Sequence, residues 1–176
     1  LAAVKISGTN YIYLLKGSGT QEFYRYNTGT GGWETRFDAP LGASNKAYKY
    51  GSSITYDGHD TIWAMKGSYN ELFAYSISQN NWVTKDTMPK KYTGSTKKTK
   101  VKDGSQLASN GGRILYALKG DNTNEFWTYK CDSHAWYTAA QMTTGAKKVK
   151  GGGALVYAAN YKLLYAFRGN NTLEFL

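Results

Sequence analysis

The sequence predicts an all-β protein, a β-propeller of four-stranded antiparallel blades, with about three and three-quarter blades in its 176 residues. Three observations predict it. The chain repeats itself about every 50 residues, each repeat breaks into short alternating segments, and side chains grow from the first segment to the last. No helical periodicity persists over three turns.

The repeat is anchored on a basic residue followed by glycine: Lys16-Gly17, Lys66-Gly67, Lys119-Gly120 and Arg168-Gly169, at spacings of 50, 53 and 49. Three residues ahead of each stands an aromatic: Tyr13, Trp63, Tyr116 and Tyr165. A glutamate follows five or six residues on: Glu22, Glu71, Glu125 and Glu174. An aromatic run then closes on Tyr26, Tyr75 and Tyr129, and a tryptophan comes seven residues later: Trp33, Trp82 and Trp136. The fourth copy stops at Phe175-Leu176.

Each repeat supplies four strands in order. Strand A is built of small residues, as in Leu1–Val4, Gly51–Ile54, Gly104–Leu107 and Gly151–Leu155. Strand B ends at the basic-glycine pair, strand C is the glutamate-aromatic run, and strand D holds the tryptophan. Gly, Ser, Asn and Asp between them supply the hairpin turns. The blades run over residues 1–37, 51–87, 104–142 and, incomplete, 151–176. A lone four-stranded sheet covers one face poorly and leaves edges open. Radial stacking covers both faces, wants small residues where strands converge, and wants aromatics where the wedge opens. That gradient is the one the strands show.

These residues resemble the kelch repeat, which has a diglycine, then a tyrosine, then a tryptophan. Here Lys or Arg stands in place of the first glycine, so the units are variant kelch-like repeats. The resemblance covers essentially the whole chain. It implies a propeller with more blades than this chain supplies, serving mostly as a binding scaffold. Galactose-oxidase-like enzymes also use kelch propellers, so a fragment of such an enzyme is one alternative. An array that stops inside a unit leaves an open edge. The expectation is that the ring is completed by the rest of its own chain or by a second copy.

Composition narrows the function. Lys and Arg number 22 against 12 Asp and Glu, a net charge of +10, while apolar residues reach 41%. Disorder throughout is excluded, and no apolar run is long enough for a transmembrane segment. One cysteine, Cys131, excludes a disulfide framework and a multi-thiolate zinc site. Leu1–Ile6 carries no basic leader, so no signal peptide is read there. The residues fix no compartment, though the reading leans to an extracellular or cell-surface setting.

The charge is not evenly spread. In a propeller the B–C corners and the D-to-A connections share one face. The connections hold Lys46, Lys49, Lys90, Lys91, Lys97, Lys98, Lys100, Lys102, Lys147, Lys148 and Lys150, which is 11 of 18 lysines. Their acids are Asp38, Asp86 and Asp103. The corners are expected to add Lys16, Lys66, Lys119 and Arg168. The other face has Asp57, Asp60, Asp132, His59 and His134, with Lys130 expected as its one cation. The lysine side should therefore carry a positive field and attract anions. Such loops also serve simply to keep a surface solvated.

The paired Lys16/Glu22, Lys66/Glu71, Lys119/Glu125 and Arg168/Glu174 read as cross-strand ion pairs of the scaffold, since an active site would not recur in every unit. Two histidines on separate blades make a poor copper set, and Cys131 near His134 lacks an orienting third group. No Walker loop, HExxH or GxSxG occurs. The expectation is a protein that is not an enzyme and needs no cofactor. It is a binding or assembly module whose lysine face meets a protein or an anionic polymer. Acidic glycan comes ahead of nucleic acid, because stacking aromatics are few there. The alternative is a structural subunit of a larger extracellular or surface assembly.

Overall fold

The structure, a computed structural model, describes residues 1–143, 145 and 147–176. Alternation of apolar and polar residues makes strands, and the described residues contain no helix. Unit one holds β1 (Ala2–Ile6), β2 (Thr9–Leu15), β3 (Phe23–Asn27) and β4 (Gly32–Thr35). Unit two holds β5 (Ser53–Tyr56), β6 (Thr61–Met65), β7 (Leu72–Ser76) and β8 (Asn81–Lys85). Unit three holds β9 (Gln106–Ser109), β10 (Ile114–Leu118), β11 (Phe126–Lys130) and β12 (Ala135–Thr138). Unit four holds β13 (Ala154–Ala158) and β14 (Leu163–Phe167).

Each unit is its own antiparallel sheet, with strands side by side in chain order. The register repeats as the sequence predicts: Tyr26 opposes Trp33, Tyr75 opposes Trp82, and Tyr129 opposes Trp136. In unit four, a bridge from Phe167 to Phe175 and paired hydrogen bonds between Ala166 and Leu176 begin a third strand.

The first strands of successive sheets lie beside one another, β1 by β5, β5 by β9 and β9 by β13. A central cleft of about 360 Å³ is lined by all four. The arrangement is consistent with blades fanning from an axis, and small side chains such as Ala2, Ala108 and Ser53 are what that crowding requires. Where successive connections meet, backbone replaces side chain altogether. A Cβ on Gly51 would lie 2.4 Å from the Lys102 backbone, and one on Gly104 would lie 2.0 Å from the Lys150 carbonyl oxygen. Both have φ of +80°, so only glycine fits on either count.

Three apolar layers separate the units. Tyr13 and Phe23 meet Phe73 and Tyr75 between units one and two. Trp63 and Leu72 meet Leu115, Trp127 and Tyr129 between units two and three. Leu118 and Ala166 pack between units three and four. A buried side chain of this size contributes about 1.5–3 kcal/mol, so each layer is a substantial bond between neighbours.

The tryptophans tie each unit to the one before. Trp82 donates its indole N–H to the Phe37 carbonyl at 2.9 Å, and Trp136 donates to the Asp86 carbonyl at 2.8 Å. Trp33 is 57% exposed and makes no such bond among the described residues.

Candidate functional site

The connections between units carry the lysines, and one buried residue in each holds them down. Tyr48, Val101 and Val149 are the buried anchors at equivalent positions. Tyr48 exchanges backbone hydrogen bonds with the B–C loop, its N–H donating to Thr20 (3.1 Å) and its carbonyl accepting from Gly19 (2.8 Å). The Val101 carbonyl accepts from the Ser68 N–H at 2.6 Å, and the Val149 N–H donates to the Thr123 carbonyl at 3.0 Å. The connections and B–C corners therefore share one face of the array, as expected. With the anchor turned inward, its neighbours in an extended segment turn outward. Lys49, Lys102 and Lys150 immediately follow the anchors, and Lys100 and Lys148 immediately precede two of them.

Ten of the eleven connection lysines are exposed: Lys46, Lys49, Lys90, Lys91, Lys97, Lys98, Lys100, Lys147, Lys148 and Lys150. None of the ten is in an ion pair among the described residues. Lys102 is half-buried and pairs with Asp121 at 3.3 Å, so its charge is partly neutralised.

The corner cations depart from expectation. Lys66 and Lys119 are fully buried and Arg168 is 1% exposed. Each is paired: Lys66 with Glu71 and Lys119 with Glu125, both at 3.1 Å, and Arg168 with Glu174. They add little to the field of the face. The pairing itself is present in all four units, Lys16 meeting Glu22 in the first. Burial lowers the proton affinity of the Lys119 ammonium below the usual lysine value, while Glu125 and Asp121 pull the other way. Desolvation consumes much of the attraction in such pairs, so they specify a geometry more than they stabilise it.

The opposite face is less acidic than the sequence suggests. Lys130 is not its one cation: the A–B turns also present Arg113 and Lys162, both exposed. Arg113 pairs with Asp132. The Asp60 carboxylate accepts hydrogen bonds from Ser76 (2.7 Å) and from both the backbone and hydroxyl of Ser78 (2.8 Å each). These bonds hold its carboxyl below the usual range despite partial burial, which pushes the other way.

This face also contains a cleft that sequence reading missed. It measures about 700 Å³ and lies between units two and three. His59, His134, Cys131, Lys85, Arg113 and Trp63 line it, so the two histidines on separate units come to one place. The signal that could have found it is adjacency: the turns at His59 and His134 belong to neighbouring units. His134 sits at φ +51°, in the turn position that Gly31 and Asn80 occupy in units one and two. Burial pushes the Cys131 thiol up, which leaves it a poor nucleophile. No cluster of three or more His, Cys, Asp or Glu able to hold a metal occurs among the described residues. The lysine face remains the stronger candidate, because its cations are numerous and unpaired.

No protein-family model matches the chain, and no curated protein does. Among solved structures it is similar to that of YjhT, with a TM-score of 0.60 and 14% identity. The match covers 93% of this chain and 57% of that one, so the chain spans little more than half the length of its structural neighbour. At that identity the likeness speaks for the fold alone.

Proposed function

We propose that this chain is a segment of a kelch-like β-propeller acting as a non-catalytic binding module. Its partner is an anionic polymer, an acidic glycan ahead of nucleic acid, held along the connections between units. One observation carries the reading: ten exposed lysines, free of ion pairs among the described residues, share one face of the array. Unpaired cations on a common face sum to a field that draws a polyanion, and binding releases its condensed counterions. Lysine-bearing connections in successive units give a polymer several points of attachment. Aromatics there are few and partly spent. Of the three tyrosines there, Tyr48 is buried and Tyr92 packs edge-on against Trp127, which leaves the exposed ring of Tyr50. Nucleobases would find little to stack on.

The test is retention on immobilised heparin against matched single-stranded DNA, over a salt series. The reading expects stronger retention on heparin, with affinity falling linearly in log salt. The triple variant Lys97→Glu, Lys98→Glu, Lys100→Glu should abolish most of it, the slope flattening by about one for each anion-binding lysine removed. Affinity indifferent to salt, or unchanged in the triple variant, contradicts the reading.

A further inference from the structure

The interfaces on the two sides of unit two are built differently. On the face of unit one that meets unit two, Tyr13, Arg25 and Glu34 stand in one cross-strand row. Arg25 and Arg36 both pair with Glu34, and Arg36 Nε donates to the Tyr75 hydroxyl of unit two at 3.1 Å. Long charged side chains therefore occupy that end of the interface. The equivalent row in unit two is Trp63, Ala74 and Val83. Lys85, three residues after Trp82, stands where Arg36 stands after Trp33. Two short apolar side chains replace an ion pair, and the cleft of about 700 Å³ opens beside them, with Trp63 and Lys85 in its lining.

The cleft has donors to spare. The Trp63 indole N–H is buried and has no hydrogen-bond partner among the described residues, while the side chain as a whole is 5% exposed. A buried N–H left unmade is costly, so an acceptor brought to it is strongly favoured. The Lys85 ammonium lies 5.9 Å from the Trp63 ring centroid and is in no ion pair among the described residues. His59 and His134 add two imidazoles to the same lining. The acids are already engaged. Asp57 Oδ1 accepts from the His59 and Thr61 backbone N–H groups at 2.9 and 3.1 Å, and Asp132 pairs with Arg113.

We infer that this cleft is a binding site for a small organic monocarboxylate. One carboxylate oxygen meets the Lys85 ammonium and the other accepts from the Trp63 indole. The charge is matched to the single free ammonium, and two oxygens match the two donors. A phosphate dianion would call for a second free cation, and Arg113 is spent on Asp132. The body of the ligand lies between units two and three, where the Trp63 ring and Cys131 supply apolar wall. The cleft is on the face opposite the lysine connections, so the inference stands apart from polyanion binding.

The test follows the tryptophan indole resonances of the isotopically labelled, folded chain by nuclear magnetic resonance. Trp63→Phe removes one resonance and so assigns it. The probe is benzoate, compared with benzamide, which has the same shape without the charge, and with phenyl phosphate. Benzoate at millimolar concentration should move the Trp63 indole proton downfield to saturation and leave that of Trp33 in place. Benzamide should bind about tenfold more weakly or worse, and phenyl phosphate no better than benzoate. Lys85→Met keeps the apolar stem, removes the charge and should weaken benzoate about tenfold or more. No saturable shift, equal affinity for benzamide, or unchanged affinity in Lys85→Met overturns the inference. Tighter binding of phenyl phosphate overturns the assignment to a carboxylate. Should Lys85→Met not fold, the double variant Ala74→Arg, Val83→Glu rebuilds the ion pair of unit one beside the cleft and should block benzoate. Benzoate bound as before by that variant, cooperatively folded, also overturns the inference.

Discussion

Four glutamates oppose four basic side chains in the same relative position, yet their energetic meaning differs with what lies over them. Glu71 is 6% exposed and its lysine is fully buried. Glu71→Ala leaves an uncompensated ammonium in the interior and should cost about 3 kcal/mol or more. Glu22→Ala, at the solvent-facing pair, should leave the midpoint of denaturant unfolding nearly unchanged. Equal losses for the two variants would contradict the burial assigned to the corners. Buried phenols set a pH limit. Tyr129 is pushed up to about 12, first by burial and then by the charge of Asp86. An unfolded tyrosine ionises near pH 10. Tyr129 thus contributes stability fully present below about pH 10 and lost as pH rises through 12. Thermal melts from pH 8 to 12 should fall steeply at the alkaline end, and less steeply in Tyr129→Phe. The pairs themselves were legible in the spacing of Lys or Arg to Glu. Their burial was not, because the atoms that close Lys66 and Lys119 include backbone carbonyls of Leu41 and Pro89. Any residue carries a carbonyl, so no sequence signal marks it.

At the scale of elements, the order of strands was legible throughout, but β5, β9 and β13 begin two or three residues after Gly51, Gly104 and Gly151, which lie in turns instead. Aromatic alternation and turn residues recur in fixed register, and register ties each tyrosine to its tryptophan. The connections were legible only by composition. Their anchors are a tyrosine and two valines, too varied to read as one position before Tyr48, Val101 and Val149 are seen buried together. The turn cations Arg113 and Lys162 escaped the sequence because each is a single charge in a short A–B turn, with no cluster to mark it. Close approach gives a prediction here. Gly104→Ala should destabilise by more than about 2 kcal/mol, combining a left-handed φ with a methyl group driven into the Lys150 carbonyl. Gly111→Ala shares the positive φ but meets open space, so its cost should be smaller. Tryptophans give a second comparison. Trp136→Phe removes the bond to Asp86 and should lower the thermal midpoint, whereas Trp33→Phe should change it little. Matching losses would mean that Trp33 is held by contacts the fold does not provide.

On the face that carries the connections, basic side chains fall into two populations, with half-buried Lys102 and half-exposed Lys16 between them. Those in the connections face water and sum to a field, while those at the closed corners are sealed between units and neutralised. Sequence placed both on one side of the array, and only packing separates them. The same packing explains why the cleft near His59 and His134 escaped notice: it belongs to no unit and exists only between two. Amine acetylation followed lysine by lysine on the folded 176-residue chain tests this division most directly. Lys46, Lys49, Lys90, Lys91, Lys97, Lys98, Lys100, Lys147, Lys148 and Lys150 should label fast and Lys102 more slowly. Lys66 and Lys119 should label only as fast as the chain opens. Lys66 and Lys119 reacting at the rate of Lys97 would contradict the account.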